Sequence, residues 1–142
     1  MFMPRLVMSL AIGMAMSTSH LASAQPNAPP AATQARSVWI NPYNSVKVEI
    51  GSCGTNLCGW VVWANSEAQQ EARDGGTANL VGTELLQNYH STGTNSWQGR
   101  VFVPDMGRSY YSTISKTGPD TLKVSGCILG GLICRSQIWH RA

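Results

Sequence analysis

The segment Val46-Lys47-Val48-Glu49-Ile50 alternates apolar and polar side chains, the two-residue period of a strand with one buried face. Gly59-Trp60-Val61-Val62-Trp63 follows, and a two-residue turn at Thr55-Asn56 would pair Ile50 with Val61 and Val48 with Trp63 on the core face. Glu49/Val62 and Gly51/Trp60 then take the other face. A second hairpin is predicted from 97–103 and 108–115 around Pro104-Asp105-Met106-Gly107, whose Pro, Asp and Gly suit a tight turn. It gathers Trp97, Val101, Tyr110 and Ile114 on one face and sets Arg100 opposite Tyr111 on the other. Thr121-Leu122-Lys123-Val124-Ser125 alternates again, and a turn at Gly130-Gly131 brings 133–140 back beside it. That register sets Leu122 against Trp139, Val124 against Gln137 and Gly126 against Arg135. At the open end Asp120 meets Arg141, a surface ion pair of small worth.

Ser37-Val38-Trp39-Ile40 supplies a first strand. The stretch 65–78 is polar and contains Gly, and reads as a long loop. Leu80 to Tyr89 fits either a short helix or a turn followed by a strand from about Glu84, and the second is the better fit. Successive hairpins with no parallel crossover predict an all-β fold: a single antiparallel meander of about eight strands, closed into a barrel, with a long loop or short helix in the middle. Eight strands leave an interior for side chains or one small ligand.

The N-terminus carries different chemistry. Arg5, the apolar run from Leu6 to Met16 and the small-x-small pattern Ala22-Ser23-Ala24 read as a secretory signal over 1–24. Residues 25–36, with three prolines and no large apolar side chain, read as a flexible tether, which leaves 37–142 for the barrel domain. Export implies a periplasmic or secreted protein. The apolar run is too short to span a bilayer and no longer one follows it, so a membrane span is not expected. The 142 residues carry Lys+Arg 10 against Asp+Glu 7, a net charge of +3, far from the footprint of a nucleic-acid binder.

An exported chain with four cysteines is expected to hold two disulfides. The hairpin registers pair Cys53 with Cys58 and Cys127 with Cys134. Their spacing lacks the rhythm of a zinc ribbon, so neither metal nor cofactor is expected. His90 and His140 lie in polar or outward positions, no carboxylate pair has catalytic spacing and no G-x-S-x-G elbow occurs, so the chain is not read as an enzyme.

Arg135 and Gln137 are the candidates of interest. The last hairpin places both on the apolar face of Leu122, Val124, Ile133 and Trp139, where polar groups are costly unless partnered. Two accounts fit. Arg135 stacks on Trp39 or Trp139 as a structural plug, with Gln137 bonded to backbone. Alternatively Arg135 and Gln137, with Trp139, Trp97, Tyr110 and Trp63, line a site for a small apolar or amphiphilic anionic ligand. A different function class, contact with another macromolecule through the outward aromatics Trp60, Phe102 and Tyr111, is the alternative. The residues name no partner.

The run Val48-Glu49-Ile50, Cys53-Gly54, Leu57-Cys58-Gly59 and Val61-Val62-Trp63 resembles the bacterial family catalogued as domain of unknown function 2147. So do Leu80-Val81-Gly82, Leu85-Leu86, Trp97-x-Gly99-x-Val101-Phe102-x-Pro104-Asp105-x-Gly107-x-Ser109-Tyr110, and the end from Leu122 to Cys127 and Cys134 to Arg141. The resemblance covers roughly Val38 to Arg141. It implies an exported, small, lipocalin-like β-barrel and carries no assigned chemistry. Ser37 replaces the family's usual Gly before the first Trp, and 65–78 lacks the family's Asp-x-x-Asn-Pro run.

Overall fold

The structure is a computed structural model that describes residues 36–142. The export signal over 1–24 and the tether over 25–36, Arg36 excepted, lie outside the described residues. The chain runs β1 (Ser37–Ile40), β2 (Val46–Cys53), β3 (Asn56–Ala64), α1 (Ser66–Asp74), β4 (Glu84–Gly93), β5 (Ser96–Val103), β6 (Arg108–Gly118), β7 (Thr121–Ile128) and β8 (Ile133–Arg141). Each strand pairs antiparallel with the next, and β8 returns to β1 to close an eight-stranded barrel. The closing seam is short, Trp39 against Arg141 and Ile40 against His140.

The β5–β6 and β7–β8 ladders follow the alternation read from the sequence. Val101 faces Tyr110, Arg100 faces Tyr111, Gly126 faces Arg135 and Val124 faces Gln137. Inward side chains fill one half of the barrel: Trp39, Val48, Val61, Leu86, Tyr89, Ile114 and Leu122 are all buried there. Trp39 is wedged at the seam with its indole donating to Ser37 Oγ at 2.7 Å and the Arg141 guanidinium 4.7 Å from its ring. Arg141 also reaches Asp120 at 3.1 Å.

The β2–β3 register differs from expectation. The turn is Gly54-Thr55, because Gly54 adopts φ +65°, a left-handed first turn position that favours Gly. Cys53 therefore faces Asn56, Val48 faces Val61 and Ile50 faces Gly59. Cys53 and Cys58 sit diagonally and are bonded, with Cα atoms 5.7 Å apart. A bulge at Lys47/Val48 then shifts Trp63 opposite Lys47 and out of the barrel. Trp63 is 42% exposed, with Lys47 Nζ 5.3 Å from its ring, so its expected place on the core face is corrected.

The loop expected at 65–78 is largely the helix α1. Asn65 caps it, its side chain accepting from Ala68 N at 2.8 Å; Glu67 sits in the first turn and Arg73 in the last, each favourable to the helix dipole. Its inward face is only Ala68 and Ala72, too little apolar area to announce a helix by periodicity. A Cβ on Gly75, the C-cap, would collide with the backbone of Asp105, so the helix end rests directly on the β5–β6 turn. Thr77 Oγ1 donates to Pro104 O at 2.9 Å beside this contact.

Candidate functional site

The other half of the barrel is not filled. It holds a cavity of about 790 Å³, open at the end that carries the β1–β2 loop, α1, the β5–β6 turn and the β7–β8 hairpin tip. The wall is mainly apolar, with Val46, Leu80, Leu85, Val101, Val124 and Trp139 among its residues. Helix α1 roofs part of the mouth with Ala68, Glu71 and Ala72, held at one end by Asn65 and at the other by the β5–β6 turn.

Strand β8 carries the polar groups. Its inward row is Ile133, Arg135, Gln137 and Trp139, all lining the cavity. The Trp139 indole donates to Gln137 Oε1 at 2.9 Å, which leaves the Gln137 amide nitrogen without an acceptor among the described residues and available to a guest. Arg135 has no hydrogen bond, ion pair or ring contact among the described residues. Gly126 stands across the ladder from it, and a Cβ there would meet only Val101 Cγ1 at 3.4 Å, so the wall beside the guanidinium is open. Arg135 is exposed to solvent through the mouth, so it occupies a wet cup rather than a desolvated interior. The plug account does not describe it: Arg141 takes the ring of Trp39, and Gln137 bonds an indole rather than backbone.

Tyr110, the other expected wall residue, also lines the cavity, its hydroxyl 3.7 Å from Met106 Sδ. Trp97 does not: it lies opposite Ile114 and packs on the filled half of the barrel. Trp63 is outside, as described above. Sequence reasoning missed Glu71, Asp105 and Tyr43, which line the mouth. Glu71 came with the unread helix, which the Asn65 cap and Gly75 could have signalled. Of the outward aromatics, Trp60 has Arg36 5.9 Å from its ring centre, Phe102 edges the cavity and Tyr111 is half exposed.

Below the cavity, Tyr89 and Ser112 are buried, and the Ser112 hydroxyl is the polar side-chain group that acts on the Tyr89 phenol. Burial pushes the Tyr89 phenol well above its ordinary range, so it remains neutral. The second disulfide, Cys127–Cys134, ties β7 to β8 on the outside of the wall that bears Arg135.

No curated protein matches this chain. Among solved structures it is similar to one titled "Protein HP1028 from the human pathogen Helicobacter pylori belongs to the lipocalin family", at TM-score 0.59 and 12% identity over 77% of this chain and 83% of that one. Identity so low speaks for the fold alone, a lipocalin-like barrel. The profile of the family described as "Uncharacterized protein conserved in bacteria (DUF2147)" matches residues 37–141, the whole barrel, and the chain belongs to that family.

Proposed function

We propose that the protein is an exported binder of a small amphiphilic anion, held in the barrel with its apolar part inward and its head beside Arg135. One observation carries this reading: a guanidinium with no partner among the described residues, on the wall of an otherwise mainly apolar cavity. Its volume of about 790 Å³ lies within the range of small-molecule sites, and such sites pair an apolar lining with a few polar groups that fix orientation. Arg135 offers a forked donor suited to a carboxylate or phosphate, and Gln137 adds an amide donor one step deeper. Glu71 and Asp105 at the mouth repel an anion and favour its seat on the β8 side. Two disulfides suit an oxidising compartment, periplasmic or secreted. The protein acts by holding its ligand, without chemistry upon it.

Contact with a macromolecule through Trp60, Phe102 and Tyr111 has less behind it, since Trp60 and Phe102 are only part-exposed and Arg36 already lies 5.9 Å from the Trp60 ring. Native mass spectrometry of protein purified from the periplasm tests the proposal. A single small-molecule adduct on the wild type, absent from Arg135→Met, is expected. Bare protein from gentle preparation, with no uptake of added anionic amphiphiles, would refute it.

A further inference from the structure

The rim of the cavity is unusually apolar for a surface in water. Three separate connections present large exposed side chains there: Tyr43 on the β1–β2 loop (74% exposed), Met106 on the β5–β6 turn (56%), and Leu129 and Leu132 at the β7–β8 tip (68% and 85%). The tip continues downward through Ile128 and Ile133, which are also exposed and also line the cavity, as do Tyr43 and Met106. An apolar path therefore runs unbroken from the outermost leucine to the cavity wall. Leu129 is held at φ +54°, a left-handed conformation that a bulky side chain adopts at a cost. The side chain is 68% exposed, so little packing within the barrel offsets that cost.

We infer that this rim docks on a phospholipid bilayer, with the β7–β8 tip entering the outer part of the acyl layer. The shape selects lipid over protein. The apolar groups stand on separate loops around an opening rather than on one element, whereas a stable protein interface takes roughly 800 Å² of fitted surface per partner. A fluid bilayer conforms to separate protrusions, and affinity there scales with the apolar area inserted. Arg108 stands exposed at the foot of the β5–β6 turn and offsets the exposed Asp105 beside Met106, so that turn carries no net charge against a headgroup layer, and Arg108 is its one group that an anionic headgroup would meet. The β7–β8 hairpin itself, 121–141, contains no carboxylate. The tip reaches lipid whether or not the cavity is filled, so this inference is independent of the ligand reading.

The test is co-sedimentation with large unilamellar vesicles of phosphatidylethanolamine and phosphatidylglycerol. Wild type is expected to sediment with the vesicles, and Leu129→Ser/Leu132→Ser to lose about tenfold in partition per leucine removed. Arg108→Ser is expected to narrow the preference for phosphatidylglycerol over phosphatidylcholine vesicles. Ile138→Ser, which removes an equally apolar exposed side chain from the outer wall, is expected to bind like wild type. Both leucines are exposed, so the double variant keeps its fold, and its unchanged melting temperature is the check. Dodecanoate binding in vesicle-free buffer should survive the leucine substitutions, which separates this idea from the proposed function. Absence of wild-type sedimentation, or equal loss in Ile138→Ser, would overturn the inference. So would a wild-type dimer that Leu132→Ser returns to monomer while vesicles bind neither form.

Discussion

Gly126 faces Arg135 across the β7–β8 ladder, and the missing side chain at 126 leaves the guanidinium beside open cavity. A larger neighbour would cover it. Gly126→Ala places a methyl at ordinary contact with Val101 and should fold normally, whereas Gly126→Val should crowd the wall next to Arg135 and weaken ligand uptake. Thermal melts paired with ligand titration check both halves.

Arg135 makes no hydrogen bond, ion pair or ring contact among the described residues. Arg135→Met should therefore leave unliganded stability within about 0.5 kcal/mol of wild type by denaturant titration, as for surface substitutions free of special interactions. Ligand affinity should fall by about 1.5–3 kcal/mol, the worth of hydrogen bonds to a charged group in a solvated site. A large drop in stability would restore a structural role for the residue.

Gly75 lets the end of α1 rest on the β5–β6 turn. Gly75→Ala drives a methyl into the Asp105 backbone, and overpacking of this kind costs about 1–3 kcal/mol. The strain falls on the roof of the mouth, so hydrogen exchange should rise across 66–77 while the amides of β6 and β7 remain protected.

The two disulfides close short loops, and each should add about 2 kcal/mol by restricting the unfolded chain. Reduction should lower the melting temperature and leave the barrel folded. Non-reducing peptide maps should show Cys53 with Cys58 and Cys127 with Cys134 and no cross-linked combination.

The Arg141 side chain serves three partners of unequal worth, the Asp120 carboxylate, the Pro119 carbonyl at 3.2 Å and the Trp39 ring. Asp120→Asn removes an exposed ion pair and should cost at most about 1 kcal/mol. Arg141→Ala also removes the exposed bond to the Pro119 carbonyl and strips the cation and its stem from the Trp39 ring at the barrel seam, and should cost more by about a further 1 kcal/mol. Equal costs for the two variants, by chemical denaturation, would show the ring contact and the Pro119 bond both to be idle.

Much of the barrel is legible where two sequence signals agree. Cys127, Cys134 and Gly130-Gly131 point to one register, and the inward row of Arg135, Gln137 and Trp139 follows from it. At the first hairpin the signals compete: Gly54-Thr55 and Thr55-Asn56 are both two-residue turns, and only the positive φ at Gly54 decides between them. Trp63 then leaves the core through a bulge, which strict alternation cannot express. Helix α1 hides because Ala68 and Ala72 bury so little. The wetness of the Arg135 site depends on how far the inward side chains fill the barrel, a quantity that no local pattern carries.

Calorimetric titration with dodecanoate and with dodecanol, its uncharged counterpart, tests the central claim most directly. The account predicts that wild type binds the acid at least about tenfold more tightly, that Arg135→Met binds both alike, and that the alcohol's affinity is the same in the two proteins. Equal affinity of wild type for acid and alcohol, or heat from neither, would contradict it.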